Sequence, residues 1–176
     1  SSLEKRRAAG PQAVLIAYAA FAAFGAYFCM YAYRKAFAAG IFPDEVELFG
    51  VRLGQKTLFL IAQVIGYATS KFLGIKVISE LPGERRAGAL VLMILLAELA
   101  LVLFGLLPAG WGAMAMFLNG LSLGMVWGTV FGFLEGRRSS DLLGAALCAS
   151  FIVASGVAKS AGQLVLGAGI SDRWMP

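Results

Sequence analysis

Histidine is absent from the 176 residues, which excludes histidine acid–base catalysis and histidine ligation of metals within this sequence. Cysteine is nearly absent. Cys29 and Cys148 both lie inside apolar runs, so neither a disulfide framework nor a cysteine-rich metal site is supported. Charge is scarce as well, at 14% of residues, with 10 acidic side chains against 15 basic ones. Beside 60% hydrophobic residues and a mean hydropathy of +0.80, so few charges argue against a soluble domain. No nucleophile–base pair or metal-ligand cluster emerges, so neither an enzyme nor a cofactor is expected. The net charge of +5 does not indicate nucleic acid, because the basic residues sit between the apolar runs, where they meet anionic headgroups. The expected partner is the lipid bilayer.

Five apolar runs are present, and their lengths suit membrane-spanning helices. The expected class is all-α, a polytopic transmembrane helix bundle. Residues 1–10 read as a basic cytoplasmic leader with Lys5, Arg6 and Arg7, and Pro11 suits a helix start. The bundle then occupies 11–170, with spans at about 12–39, 57–75, 87–107, 112–134 and 142–170. A cleavable signal peptide is the competing reading of the leader, but the first run is too long and no small-x-small cleavage site leads into a polar chain. Residues 171–176 read as the start of an external loop, and the chain reads as an excerpt of something longer. Lys5, Arg6, Arg7, Lys76, Arg85, Arg86, Arg137 and Arg138 all fall on the side of the N-terminus, against chiefly Arg52, Lys56 and Arg173 opposite. By the positive-inside rule the N-terminus is cytoplasmic.

Several polar residues interrupt these runs. A charge at a helix centre costs roughly 2.5–3.5 kcal/mol on insertion scales, so it ordinarily faces a bundle interior or a watery cavity. Lys71 is such a charge, and Gln63, Tyr67 and Lys71 recur every fourth residue, so a helix places an amide, a phenol and an ammonium on one face. The alternative is that Lys71 snorkels to the headgroups. Tyr27, Tyr31 and Arg34 share a face near the end of the first span, where Arg34 and Lys35 either point into a cavity or anchor the interface. Lys159, with Ser155 and Gln163 at the same spacing, is a second intramembrane cation. Glu98, near the middle of the third span, is protonated, paired with a cation, or part of a proton pathway. Gly66, Ser70 and Gly74 form one stripe of small residues, and Gly120, Gly124, Gly128 and Gly132 form another. Both suit close helix packing, with a moving hinge the alternative for the second stripe. Three intramembrane cations without as many carboxylates imply a pocket for an anion.

Tyr31-x-x-Arg34-Lys35-x-Phe37, Gly66-Tyr67-x-x-Ser70-Lys71-Phe72 and Phe117-Leu118-x-Gly120-x-x-x-Gly124-Met125-x-Trp127 resemble the organophosphate:phosphate antiporter branch of the major facilitator superfamily. The resemblance covers about the first five of that family's twelve helices, so it implies five spans of an N-terminal six-helix half, the C-terminal half being the missing partner. It further implies Arg34 as a phosphate or carboxylate ligand, Lys35 and Lys71 as electrostatic support, and Tyr31 and Tyr67 as walls. Gln63 and Lys159 complete the expected substrate-binding set. The chain departs from the family in three places: the loop after span two lacks the Asp-Arg signature, span five has no histidine, and Gly128 rather than proline follows Trp127.

The function expected is secondary active transport of a small anionic solute, such as phosphate or an organophosphate, by alternating access in a bacterial inner membrane. A non-transporting structural or assembly subunit of the membrane is the alternative.

Overall fold

The computed structural model describes residues 2–48, 50–80, 82–134 and 140–176, with side-chain surroundings given outside 1–13, 48, 75, 78–79, 109 and 131–143. Five helices dominate: α1 (Ser2–Lys35), α2 (Gln55–Ser79), α3 (Gly83–Leu106), α4 (Gly112–Leu134) and α5 (Ser140–Gly167). Each is long and apolar enough to cross a membrane, and the chain is an integral, multi-pass membrane protein with an all-α bundle fold. Large apolar side chains point outward along it, among them Phe21 and Phe72, each 78% exposed, as a lipid-immersed surface requires.

Helix α1 begins at Ser2, ahead of the helix start expected at Pro11. Leu3, Glu4, Lys5, Arg6, Arg7, Ala8 and Ala9 are strong helix formers, and the helix continues through Pro11 despite the backbone bond a proline removes and its crowding of the preceding turn. Helix α1 then tightens into a 3-10 turn at Ala36–Ala39. A short hairpin follows, β1 (Glu45–Leu48) paired antiparallel with β2 (Val51–Gly54), in the loop where the sequence suggested no strand. Glu47 stands opposite Arg52 in its register, and Gly50, with φ of 77°, supplies the left-handed turn residue. The loop holding Arg137 and Arg138 lies outside the described residues.

Two pairings set the bundle. Helices α2 and α4 lie parallel in backbone contact: a Cβ on Gly66 would overlap the Phe117 carbonyl, one on Gly120 the Gln63 backbone, and one on Gly124 the Ser70 hydroxyl. Helix α5 runs parallel to α1, with Phe151 against Tyr27 and Tyr31, and Gly162 against Ala36 and Ala39. Helix α3 returns antiparallel along α4, with Phe104 beside Gly112 and Ala97 beside Asn119.

The core has two parts. One joins Tyr27 and Met30 of α1 to Ala97, Leu123, Val126 and Leu147. The other, near the hairpin, is aromatic: Phe42, Phe59 and Phe104 meet edge to face at centroid distances of 5.1–5.9 Å. Residues 171–176 fold back over this end rather than leaving it. The Asp172 carboxylate accepts the Ile41 N–H at 2.6 Å, and Arg173 donates to the Phe104 and Leu107 carbonyls at the end of α3. Lys56 donates to the Ala38 and Gly40 carbonyls, 2.8 Å each, closing the 3-10 turn.

Candidate functional site

Tyr27, Tyr31 and Arg34 recur at four and three residues on α1, so they line one helix face. Helix α2 supplies Tyr67 to that face and α5 supplies Phe151. The Tyr27 ring meets Phe151 at 6.4 Å, and Tyr31 meets it at 5.8 Å. The Arg34 guanidinium lies 4.5 Å from the Tyr67 ring centroid and 5.9 Å from that of Tyr31. The Lys71 ammonium, one helical turn beyond Tyr67, lies 5.0 Å from the same Tyr67 centroid and 5.5 Å from that of Trp127 on α4. Two cations therefore share one phenol ring.

The electrostatics of this arrangement are unbalanced. Each cation–π contact is worth about 0.5–1 kcal/mol when exposed and about 2 when desolvated. Both cations lie within 5.0 Å of one centroid, which caps their separation at about 10 Å. At that limit and an effective dielectric of about 20, their repulsion is at least about 1.7 kcal/mol. The four ring contacts together attract by about 2–4 kcal/mol where exposed, and the repulsion offsets a large part of that. Neither Arg34 nor Lys71 forms an ion pair with a carboxylate among the described residues. Arg34 is half-buried and Lys71 exposed, so an incoming anion can reach both.

Lys35 is half-buried at the junction between α1 and its 3-10 turn, next to Arg34. Lys159 is exposed and shares the α5 stripe of Phe151 and Ser155. Phe151 abuts Tyr27 and Tyr31 while Gly162 abuts Ala36 and Ala39, so Lys159 stands level with the Arg34–Lys35 end of α1 without contacting Arg34 or Lys71. Glu98 lies on another flank: it is exposed, stands close enough to Tyr33 of α1 for the two side chains to interact electrostatically, and pairs with no cation among the described residues.

Gln63 does not join Tyr67 and Lys71 on the open face. Its side chain is 2% exposed and turned into the bundle, where Nε2 donates to Asn119 Oδ1 at 2.9 Å and to the Arg34 carbonyl at 3.3 Å. Asn119, fully buried, donates in turn to the Ala97 carbonyl at 3.2 Å. Among the small residues, Gly66, Ser70, Gly120 and Gly124 form the α2–α4 contact, and the Ser70 hydroxyl donates to the Tyr67 carbonyl at 2.7 Å. Gly74 is buried and Gly128 half-buried, while the surroundings of Gly132 lie outside the described residues.

Sequence reasoning missed two contributors, Phe151 as a wall and Asn119 as the partner of Gln63. A signal for the second was present: two amides inside apolar runs must find hydrogen bonds, and each was the other's available partner. No group of His, Cys, Asp and Glu among the described residues is arranged to hold a metal. No curated protein and no solved structure matches the chain. A family match does cover residues 36–176, from the end of α1 through the whole remaining bundle, and by it the chain belongs to DUF5690, a family of unknown function.

Proposed function

We propose that the face formed by Arg34, Lys71 and their aromatic walls binds a small anionic solute, and that the chain carries it as part of a secondary active transporter working by alternating access. The observation that supports this most is the convergence of Arg34 and Lys71 on Tyr67 with no carboxylate paired to either among the described residues. A phosphate or carboxylate entering there exchanges a repulsive pair for two charge-assisted contacts. Arginine offers a planar fork for bidentate bonding and lysine a mobile point charge. Lys35 and Lys159, at the same level of the bundle, extend the positive field toward the hairpin end. The sequence resemblance to the organophosphate:phosphate antiporters agrees with this reading, and the location proposed with it is a bacterial inner membrane with the N-terminus cytoplasmic. Glu98, beside Tyr33 outside this face, is the candidate for proton coupling.

The test is thermal stabilisation of the purified full-length protein by inorganic phosphate, glycerol phosphate, a hexose phosphate and succinate. A ligand present at 100 times its Kd and bound only by the folded state adds about 2.7 kcal/mol of stability. Stabilisation by one of these anions, abolished in Arg34→Ala and in Lys71→Ala, is the expected result. Equal stabilisation of parent and variants, or none by any anion, returns both residues to packing and anchoring and favours a structural subunit.

A further inference from the structure

A buried hydrogen-bond chain crosses four helices at the level of the cation pair. Gln63 on α2 uses both amide hydrogens, one on Asn119 of α4 and one on the carbonyl of Arg34 in α1, and Asn119 continues the chain to the Ala97 carbonyl in α3. Among the described residues no buried side-chain polar atom is left without a partner, so these bonds are mutually complete. The chain ends on α1 at a particular place. Arg34 is the residue before Lys35, which caps the passage from α-helix to 3-10 turn with φ of −103° and ψ of −15°. A carbonyl at such a junction sits where two hydrogen-bonding patterns compete, and a side-chain donor there fixes the backbone of the residue that carries it. The donor itself is held firmly, because Gly66 against Phe117 and Gly120 against Gln63 keep α2 and α4 from sliding past one another.

We propose that Gln63 and Asn119 are positioning residues for Arg34: their amide chain fixes its backbone, so that the guanidinium stands over Tyr67 before an anion arrives. The proposal rests on the anion-binding reading of that face. It assigns the two buried amides to the affinity of a site that neither of them touches. Preorganisation lowers the ordering cost of binding, so loosening Arg34 weakens the anion complex even where the fold survives.

The experiment separates affinity from stability. The full-length protein and its Gln63→Met, Asn119→Leu and doubly substituted variants are compared by thermal melting without anion and by equilibrium dialysis of radiolabelled inorganic phosphate. Each single variant strands the other amide in the core and lowers the melting temperature, whereas the double variant replaces both partners by apolar groups and recovers most of the loss. Phosphate affinity is expected to stay about tenfold weaker in the double variant, a loss on the scale of one hydrogen bond. Gln63→Asn, which keeps the amide but shortens its reach, serves if the double variant does not fold, and is expected to weaken binding likewise. Parental affinity in whichever of the two is measured overturns the positioning role while leaving the anion site standing. A parent that neither binds phosphate nor is stabilised by any of the other three anions removes the anion site, and the positioning role with it.

Discussion

Arg34 and Lys71 act on one ring, yet substituting them should have different consequences. Arg34 can bond an anion through two N–H groups, and hydrogen bonds to charged groups are worth about 1.5–3 kcal/mol each. Arg34→Lys keeps the charge but loses the fork, and anion affinity is expected to fall by about tenfold, measured by equilibrium dialysis. Lys71→Met removes one member of a like-charged pair within about 10 Å. Its melting temperature without anion is therefore expected to hold level or rise by about 2 °C, while anion affinity falls. A fall in both would show that Lys71 contributes to the fold. Gln63 shows how a four-residue repeat misleads over distance. Each step of four advances about 40° around a helix, so Gln63 and Lys71 lie about 80° apart. That rotation turns Gln63 toward α1 and α4 and leaves Lys71 on the open side. The stripe from Tyr27 to Arg34 spans fewer residues and kept its face, as the contacts with Tyr67 and Phe151 show.

Among the elements, α2 and α4 form the rigid spine. The spacing of Gly66 and Ser70, and of Gly120 and Gly124, signalled close packing, because small residues every four positions let backbones approach. What the spacing could not show was which stripe meets which, since that depends on how the bundle is assembled. Gly66→Val places atoms into the Phe117 carbonyl and is expected to destabilise by about 1–3 kcal/mol or prevent assembly. Gly156→Ala on α5, where an added Cβ meets nothing within 4 Å, is expected to be neutral or to stabilise by up to about 1 kcal/mol. Melting of the two variants in detergent checks both. The β1–β2 hairpin escaped sequence reading for a simpler reason: its strands are four residues each, too short for alternation to stand out from a polar loop. The return of residues 171–176 over the hairpin end was equally hidden, since it depends on Asp172 meeting the Ile41 N–H, a contact 131 residues apart in sequence.

Over the whole molecule, hydropathy made the five helices legible because a bilayer sets their length and forbids unpaired backbone. The proposed orientation, with the N-terminus cytoplasmic, rests on charge placement and carries its own prediction. With Cys29 and Cys148 replaced by alanine, a cysteine at Glu47 in the hairpin is expected to react with a membrane-impermeant thiol reagent in whole cells. A cysteine at Glu84, at the start of α3, is expected to react only after the membrane is opened. The reverse pattern would invert the topology.

The proposed anion site, two cations on Tyr67 with no carboxylate partner among the described residues, is tested by equilibrium dialysis of radiolabelled phosphate against the full-length protein. Saturable binding at one site per chain is expected, weakened as ionic strength rises and lost when Arg34 and Lys71 are both replaced by alanine. Absence of saturable binding, or binding that survives the double replacement, would contradict it.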